Sequence, residues 1–180
     1  MIKITKKRNP ETANFRRTDL GYHVTTEKGW EGIQKSGFLK PNSYKNLANS
    51  WEADYYDYFG KGFVPLFFAR SIETLMDNFY IQKNSKVLEV NVKDFAQFPD
   101  LPMLANKMKT SKSKNGMYWN YRVPPIFGML EVDEIVPFEE FFTDERLGNK
   151  TIYYTQSFTI IDDIPIENIR NVWNGSKYFR

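Results

Sequence analysis

The sequence predicts an α+β fold, formed by a single domain of 180 residues. Short runs of alternating or continuous apolar residues, typical of strands, are interrupted by only two or three stretches of helical periodicity. Aromatic residues make up 17% of the chain, with 15 Phe and 11 Tyr, and these side chains fit the half-buried surface of a sheet. A second domain would leave both parts small, so we expect one domain over residues 1–180.

The composition excludes several classes of functional site. The chain has no cysteine and one histidine, which removes disulfides, thiolate zinc sites, Cys nucleophiles and multi-histidine metal centres. No segment has the length and apolar character of a membrane span, and the N-terminus lacks the apolar core of a signal peptide. We therefore expect a cytoplasmic protein with no membrane partner. The net charge of +3 permits an anionic ligand without implying bulk binding of nucleic acid.

The first predicted unit is a strand followed by a helix. Residues 1–18 are polar and basic, and they predict either an arm or a first strand. Residues 20–25 predict a strand that carries His23. The Thr26 hydroxyl can cap a helix that runs through Ser36, and Gly37 stands where a left-handed residue ends a helix.

The rest of the chain predicts more strands, one further helix and some loops. Strands are expected over residues 63–69, with an edge or bulge at Pro65, and over 87–92, 127–132, 135–138, 151–161 and 171–173. Ser71 can cap a helix in which apolar residues repeat at helical spacing from Ile72 to Phe79. Residues 42–60 predict a long loop, residues 106–116 a basic mobile loop, and residues 165–169 a turn with a helical start.

His23 is the first candidate for chemistry, since an imidazole can donate from one nitrogen and accept at the other. A lone histidine at the end of a strand is otherwise a structural residue. Two neighbouring features favour function. The strand reads Tyr22, His23, Val24, Thr25, Thr26, and the helix after it ends in Gly37, Phe38, Leu39, Lys40, Pro41.

This opening resembles that of the ADP-ribosyltransferase superfamily, which includes the poly(ADP-ribose) polymerases, diphtheria-toxin-like enzymes, DNA-targeting toxins and RNA 2′-phosphotransferases. The resemblance implies a split, mixed β-sheet with a few flanking helices, and NAD held in a central cleft around His23. It implies that His23 hydrogen-bonds a ribose hydroxyl of NAD and that the Val24 backbone holds the nicotinamide amide. Tyr22 and Thr25 complete this part of the expected NAD site, and no metal is required.

A second block resembles the polymerase-type members of the same superfamily. A Phe-Gly-Lys-Gly segment at residues 59–62 precedes a strand containing Phe67 and Phe68, and the helix after it is followed by Phe79 and Tyr80. In the family, two aromatic rings of this block sandwich the nicotinamide. The resemblance therefore implies stacking by Phe67 or Phe68 together with Phe79 or Tyr80, and we count Phe67 with His23 among the catalytic candidates. A strand rich in Phe is otherwise ordinary core.

The third block contains the residue that decides whether the protein is catalytic. The family has a glutamate at the start of a strand, followed by an Ile-Pro-Pro-Glu-x-Ile segment that resembles residues 164–169 here. Gln156 stands at the glutamate position. A glutamine keeps a hydrogen bond to the ribose but lacks the charge that stabilises an oxocarbenium-like transition state. Glu139, Glu140 and Glu145 lie upstream and are alternative sources of a carboxylate.

Three functions follow from the resemblance. The first is an NAD-dependent ADP-ribosyltransferase that modifies a protein or nucleic-acid target. The second is a catalytically degenerate module that binds NAD, ADP-ribose or a protein partner. The third is an NAD-dependent RNA 2′-phosphotransferase, for which Arg16, Arg17 and Arg70 are the available phosphate-binding cations. Small stand-alone proteins of this superfamily are often toxins or phage and defence factors.

Overall fold

A computed structural model describes residues 18–43, 63–78, 81–108, 120–122, 135–137 and 140–178. Its α-helices are α1 (Glu27–Ser36), α2 (Ile72–Asn78), α3 (Leu101–Met108), α4 (Glu140–Thr143) and α5 (Glu145–Thr155). Short 3-10 turns follow at Ile166–Asn168 and Gly175–Lys177. None of the helices in these ranges is both long and apolar enough to cross a lipid bilayer.

The main sheet is antiparallel, and its strands run in the order β12, β6, β1, β5, β10, β7. They are β1 (Leu20–Thr26), β5 (Leu66–Ala69), β6 (Ser85–Asn91), β7 (Phe98–Pro99), β10 (Ser157–Ile160) and β12 (Ile169–Asn174). Three two-stranded pairs accompany the sheet: β2 (Phe38–Leu39) with β11 (Ile164–Pro165), β3 (Asn42–Ser43) with β4 (Phe63–Val64), and β8 (Asn120–Arg122) with β9 (Ile135–Pro137). The predicted α+β class is confirmed.

The middle of the sheet is joined at a single pair of residues. β1 pairs with β6 along its whole length, from Leu20 to Thr26. β5 pairs with β10 along its whole length, from Leu66 to Ala69. Between β1 and β5 the only residues in register are Tyr22 and Ala69. The sheet therefore has two well-paired halves, β12-β6-β1 and β5-β10-β7, which diverge beyond that pair.

Each face of the sheet packs against its own apolar cluster. Phe68, Phe158 and Leu88 belong to the larger cluster, which helices α3, α4 and α5 cover. Ala69, Leu75 and Val87 belong to a smaller cluster on the opposite face. At Gly21 a Cβ atom would lie 2.8 Å from the Phe68 ring and 2.9 Å from that of Phe158. The rings of the larger core therefore pack directly against the β1 backbone.

Several local predictions are confirmed. The Thr26 hydroxyl accepts a hydrogen bond from Gly29 N at 2.9 Å, and Gly37 ends α1 in the left-handed region with φ 77°. The Ser71 hydroxyl accepts from Thr74 N at 3.1 Å at the start of α2. The single strand predicted over residues 63–69 is wrong: Pro65, which cannot donate to a ladder, divides it into β4 and β5, and β5 is an inner strand of the main sheet, not an edge.

The predicted strand over residues 151–161 is wrong in its first half. Those residues continue α5, and β10 begins only at Ser157. Asp144 caps α5 through a bond from Leu147 N at 2.9 Å. The Thr151 hydroxyl donates to Leu147 O at 2.9 Å and the Thr155 hydroxyl to Thr151 O at 2.8 Å. Threonine favours strands in general, but here burial of a helical face outweighs that preference. The bonds to the preceding turn give the buried Thr151 and Thr155 hydroxyls the partners they need.

The predicted loop over residues 106–116 differs at its start, where α3 continues through Met108. The turn expected over residues 165–169 contains the short 3-10 helix Ile166–Asn168, and the strand expected over 171–173 is the centre of β12. Residues 1–17, 44–62 and 127–132, which carry further predictions, lie outside the described ranges.

Candidate functional site

His23 lies where the two halves of the sheet diverge. It follows Tyr22, the last residue of β1 in register with β5, and its ring lies 5.3 Å from the ring of Phe68. His23 Nδ1 lies 2.8 Å from Phe67 O. Because a carbonyl oxygen only accepts, Nδ1 carries the proton in this contact. In the neutral imidazole, Nε2 is then left with a lone pair that can accept a hydrogen bond from a ligand.

Burial lowers the pKa of the His23 imidazole below its ordinary value of 6.5, and the hydrogen bond to Phe67 O opposes this shift only in part. A cation in this position loses the solvation that water would give it. The neutral form is therefore favoured at physiological pH, and with it the acceptor character of Nε2.

A pocket of about 370 Å³ opens beside His23 at the carboxyl end of β1. Its described lining residues are His23, Val24, Thr25, Thr26, Gly29, Gln82 and Ser85. The pairing of β1 with β6 brings them together, because Thr26 lies opposite Ser85 in that ladder. The pocket thus includes three residues that the sequence placed at the NAD site, His23, Val24 and Thr25.

Among the described lining residues, none is Asp, Glu, Lys or Arg, and the titratable side chain is the His23 imidazole. Hydroxyl groups come from Thr25, Thr26 and Ser85, and an amide comes from Gln82. Within the described ranges, no group of three or more His, Cys, Asp or Glu side chains is arranged to hold a metal ion. This surface suits a ligand portion that is rich in hydroxyl and neutral hydrogen-bonding groups.

Beyond Tyr22, the edge of β1 that faces β5 has no registered strand partner in the described part of the chain. In an antiparallel ladder, alternate residues direct their N–H and C=O groups to each side. Part of the backbone of residues 23–26 therefore faces the gap between the two halves. Backbone groups of this kind can bind an amide, which is the role that the resemblance gives to Val24.

The two phenylalanines of β5 have different environments. Phe68 is fully buried and stacks on Phe158, with 5.4 Å between ring centroids and 8° between ring planes. Phe67 is only partly buried and packs at the margin of the larger core. Of the two rings, Phe67 is therefore the more accessible to a ligand. Phe79 and Tyr80, the other expected stacking residues, lie outside the described ranges.

Tyr22 lies on the opposite face of β1 from His23, because side chains alternate along a strand. Its hydroxyl donates to Glu89 Oε2 at 3.0 Å, and Asn171 Nδ2 donates to Glu89 Oε1 at 2.8 Å. Burial raises the pKa of Tyr22, and the hydrogen bond and negative charge of Glu89 raise it further. The Tyr22 side chain thus joins β1, β6 and β12 on this face.

Gln156 ends α5 immediately before β10. Its backbone adopts the left-handed region with φ 53°, and its carbonyl accepts from Arg70 N at 2.9 Å. Its side-chain Nε2 donates to Tyr153 O in the last turn of the same helix. Gln156 does not line the pocket beside His23, although β10 is separated from β1 only by β5.

The alternative carboxylates lie elsewhere. Glu140 is the first residue of α4 and Glu145 the first residue of α5, and both are exposed. Glu139 lies outside the described ranges. Neither Glu140 nor Glu145 lines the pocket; acidic residues at such positions stabilise the amino end of a helix.

Sequence reasoning did not identify Gly29, Gln82 and Ser85 as pocket residues. Gly29 is required because a Cβ there would collide with Thr25 Oγ1. Gln82 and Ser85 reach the pocket only through the register of β6 against β1. A glutamine and a serine in a polar turn have no local pattern that indicates this position; only the strand pairing does.

Comparison with models of protein families, with curated proteins and with solved structures returns no match for this chain.

Proposed function

We propose that this protein is an NAD-dependent ADP-ribosyltransferase with an ADP-ribosyltransferase-like split sheet. The observation that carries the proposal is the position of His23, at the point where the two halves of the sheet diverge and beside a polar pocket. Its Nε2 accepts hydrogen bonds, and a ribose diol supplies donors. The opened edge of β1 beside Val24 adds backbone groups suited to an amide.

The positions of the three resembling segments support the same proposal. Their described site residues are far apart in sequence, yet His23 lies on β1, Phe67 on β5 and Gln156 directly before β10, and these three strands are neighbours in the sheet. His23 on β1 and Phe67 on β5 are joined directly by the bond from Nδ1 to the carbonyl oxygen. A site assembled from adjacent strands has little freedom to deform, which favours preorganised binding.

In the proposed reaction, His23 orients a ribose through Nε2, the Val24 backbone holds the nicotinamide amide, and Phe67 covers the nicotinamide ring. The glycosidic C–N bond of NAD breaks, and neutral nicotinamide leaves with the bonding electrons. A nucleophile of the target attacks C1′ of the ribose and loses its proton. Holding NAD in one geometry lowers the entropic part of the barrier.

One observation favours a second function, a module that binds NAD or ADP-ribose without transferring it. No carboxylate is among the described residues that line the pocket, and Gln156 stands where the resemblance places the family's glutamate. A glutamine provides no charge to stabilise the reacting ribose. Binding would remain, because the contacts of His23 and Val24 do not depend on that charge.

Thermal unfolding with NAD, ADP-ribose and nicotinamide tests the proposed site. A ligand that binds only the native state raises its stability, by about 2.7 kcal/mol at 100 times its Kd. We expect NAD to raise the melting temperature of the wild type, and His23→Ala to lose most of that increase. An unchanged melting temperature with all three ligands at saturating concentration contradicts the proposal.

His23→Asn is the matched control for the test of His23. An asparagine amide can replace the Nδ1 bond to Phe67 O but offers no acceptor at the position of Nε2. It should therefore retain the stability of the free protein while losing affinity for NAD. If His23 had only a structural role, the opposite pattern would result: His23→Asn would be less stable, and the molecules that still fold would bind NAD as the wild type does.

A further inference from the structure

The end of the pocket away from His23 is formed by the turn that precedes β6. Gln82 O accepts from Ser85 N at 3.1 Å and from the Ser85 hydroxyl at 2.6 Å, which closes the turn. Gly175 packs against the same atoms, since a Cβ there would collide with Gln82 O and Ser85 Oγ. The backbone of Gln82 is therefore fixed from two sides.

The side chain of Gln82 is available to a ligand. It is exposed, it lines the pocket, and its amide makes no hydrogen bond within the described part of the chain. A primary amide presents one acceptor and two donors in a plane. Since none of the described lining residues is Asp, Glu, Lys or Arg, the Gln82 amide is the described side chain best suited to bind a flat polar edge at the rim of the pocket.

The size of the pocket limits what can occupy it. Its volume of about 370 Å³ is near the lower end of the usual range for small-molecule sites. Thr26, the partner of Ser85, lies three residue steps along β1 from His23, which corresponds to roughly 10 Å of strand. That length suits one nucleoside lying between His23 and the turn, and it is too short for a whole dinucleotide.

We propose that Gln82 determines base specificity, binding the edge of a purine whose ribose is held by His23. This inference rests on the proposed function, because it takes the nucleoside to be part of NAD or ADP-ribose. The amide oxygen of Gln82 accepts from the adenine N6 amino group while its NH₂ donates to N7, the pairing that glutamine makes with adenine in other settings. The Ser85 hydroxyl, whose proton is directed to Gln82 O, offers a further acceptor beside it.

Calorimetric titration with AMP, ribose 5-phosphate and nicotinamide tests this contact. We expect Gln82→Ala to weaken AMP about fivefold to tenfold, the loss of one or two neutral hydrogen bonds, and to leave ribose 5-phosphate unchanged. Nicotinamide binding should not change either. Gln34→Ala is the matched control, because Gln34 is an exposed glutamine on α1 that does not line the pocket.

The outcomes separate this inference from the function on which it rests. If Gln82→Ala weakens AMP and ribose 5-phosphate equally, or neither, the base contact is disproved, while NAD binding by the wild type still supports the proposed function. Binding of AMP that depends on Gln82, together with no binding of NAD, disproves the proposed function and retains the base contact. Gln82→Glu, which keeps the acceptor and loses the donor, should fall between the wild type and Gln82→Ala.

Discussion

At the scale of single residues, His23 shows how one backbone contact sets the chemistry of a side chain. The Phe67 carbonyl fixes the proton on Nδ1 at 2.8 Å, so Nε2 is an acceptor as long as the ring is neutral. A charged ring would be a donor at both nitrogens and would not accept from a ribose hydroxyl. Binding at this position is therefore linked to the protonation state of His23.

This linkage predicts a pH dependence of stability. Because burial lowers the pKa of His23, the unfolded chain binds more protons than the native protein just below 6.5. The contribution of His23 to stability is then complete above about pH 6.5, and it falls with pH until the native ring also titrates, by up to about 1.4 kcal/mol per pH unit. Urea unfolding of the wild type and His23→Asn between about pH 7.5 and 5.5 measures the difference. If the free energies of unfolding of the wild type and His23→Asn change equally with pH, the predicted contribution of His23 is contradicted.

Gln156 carries the second prediction at this scale. Gln156→Glu removes the donor that binds Tyr153 O, and it supplies a charge that can stabilise the reacting ribose. If transfer in the wild type is slow for lack of that charge, nicotinamide release should rise by about 10²–10³. Adding His23→Ala to Gln156→Glu should abolish the gain. Rapid release by the wild type, unchanged in Gln156→Glu, would place the catalytic carboxylate elsewhere.

At the scale of secondary-structure elements, α1 depends on two glycines in opposite ways. A Cβ at Gly29 would collide with Thr25 Oγ1 and lie 3.2 Å from Thr26 Oγ1, whereas a Cβ at Gly32 meets nothing within 4 Å. Gly29 thus allows the start of the helix to pack against the end of β1. Gly32 only weakens the helix, since glycine is a poor helix former.

These two positions form a matched pair of substitutions. Gly32→Ala should increase the free energy of unfolding by about 0.5–1 kcal/mol and leave ligand binding unchanged. Gly29→Ala should decrease stability and weaken NAD binding, because the start of α1 must move away from the pocket. Urea unfolding and NAD titration of both variants check this. Equal stabilisation by both would contradict the packing of Thr25 against α1.

The elements also show how far sequence reasoning extends. The ends of α1 could be predicted because Thr26 and Gly37 have side-chain and backbone properties that act locally. α5 was missed because the preference of Thr151 and Thr155 for strands was outweighed by burial against the core, which depends on distant residues. For the same reason the turn of Gln82 could not be assigned to the site before the register of β6 against β1 was known.

At the scale of the whole molecule, the α+β class could be predicted because periodicity and aromatic content are properties of the entire sequence. The arrangement of His23, Phe67 and Gln156 on β1, on β5 and before β10 could not be derived from composition or periodicity. No local pattern specifies which strands become neighbours. The greater burial of Phe68 compared with Phe67 likewise depends on which face of β5 packs against the core. A continuous apolar run does not indicate which face that is.

The single register pair between Tyr22 and Ala69 has a consequence for how the chain folds. In one half of the sheet β1 must pair with β6. In the other half β5 must pair with β10, which lies much later in the chain. Contacts between such distant segments carry a loop-closure cost and slow the search for the native state. Because a single register pair joins β1 to β5, the pairing of β1 with β6 can form before β5 meets β10 and before β12 joins β6.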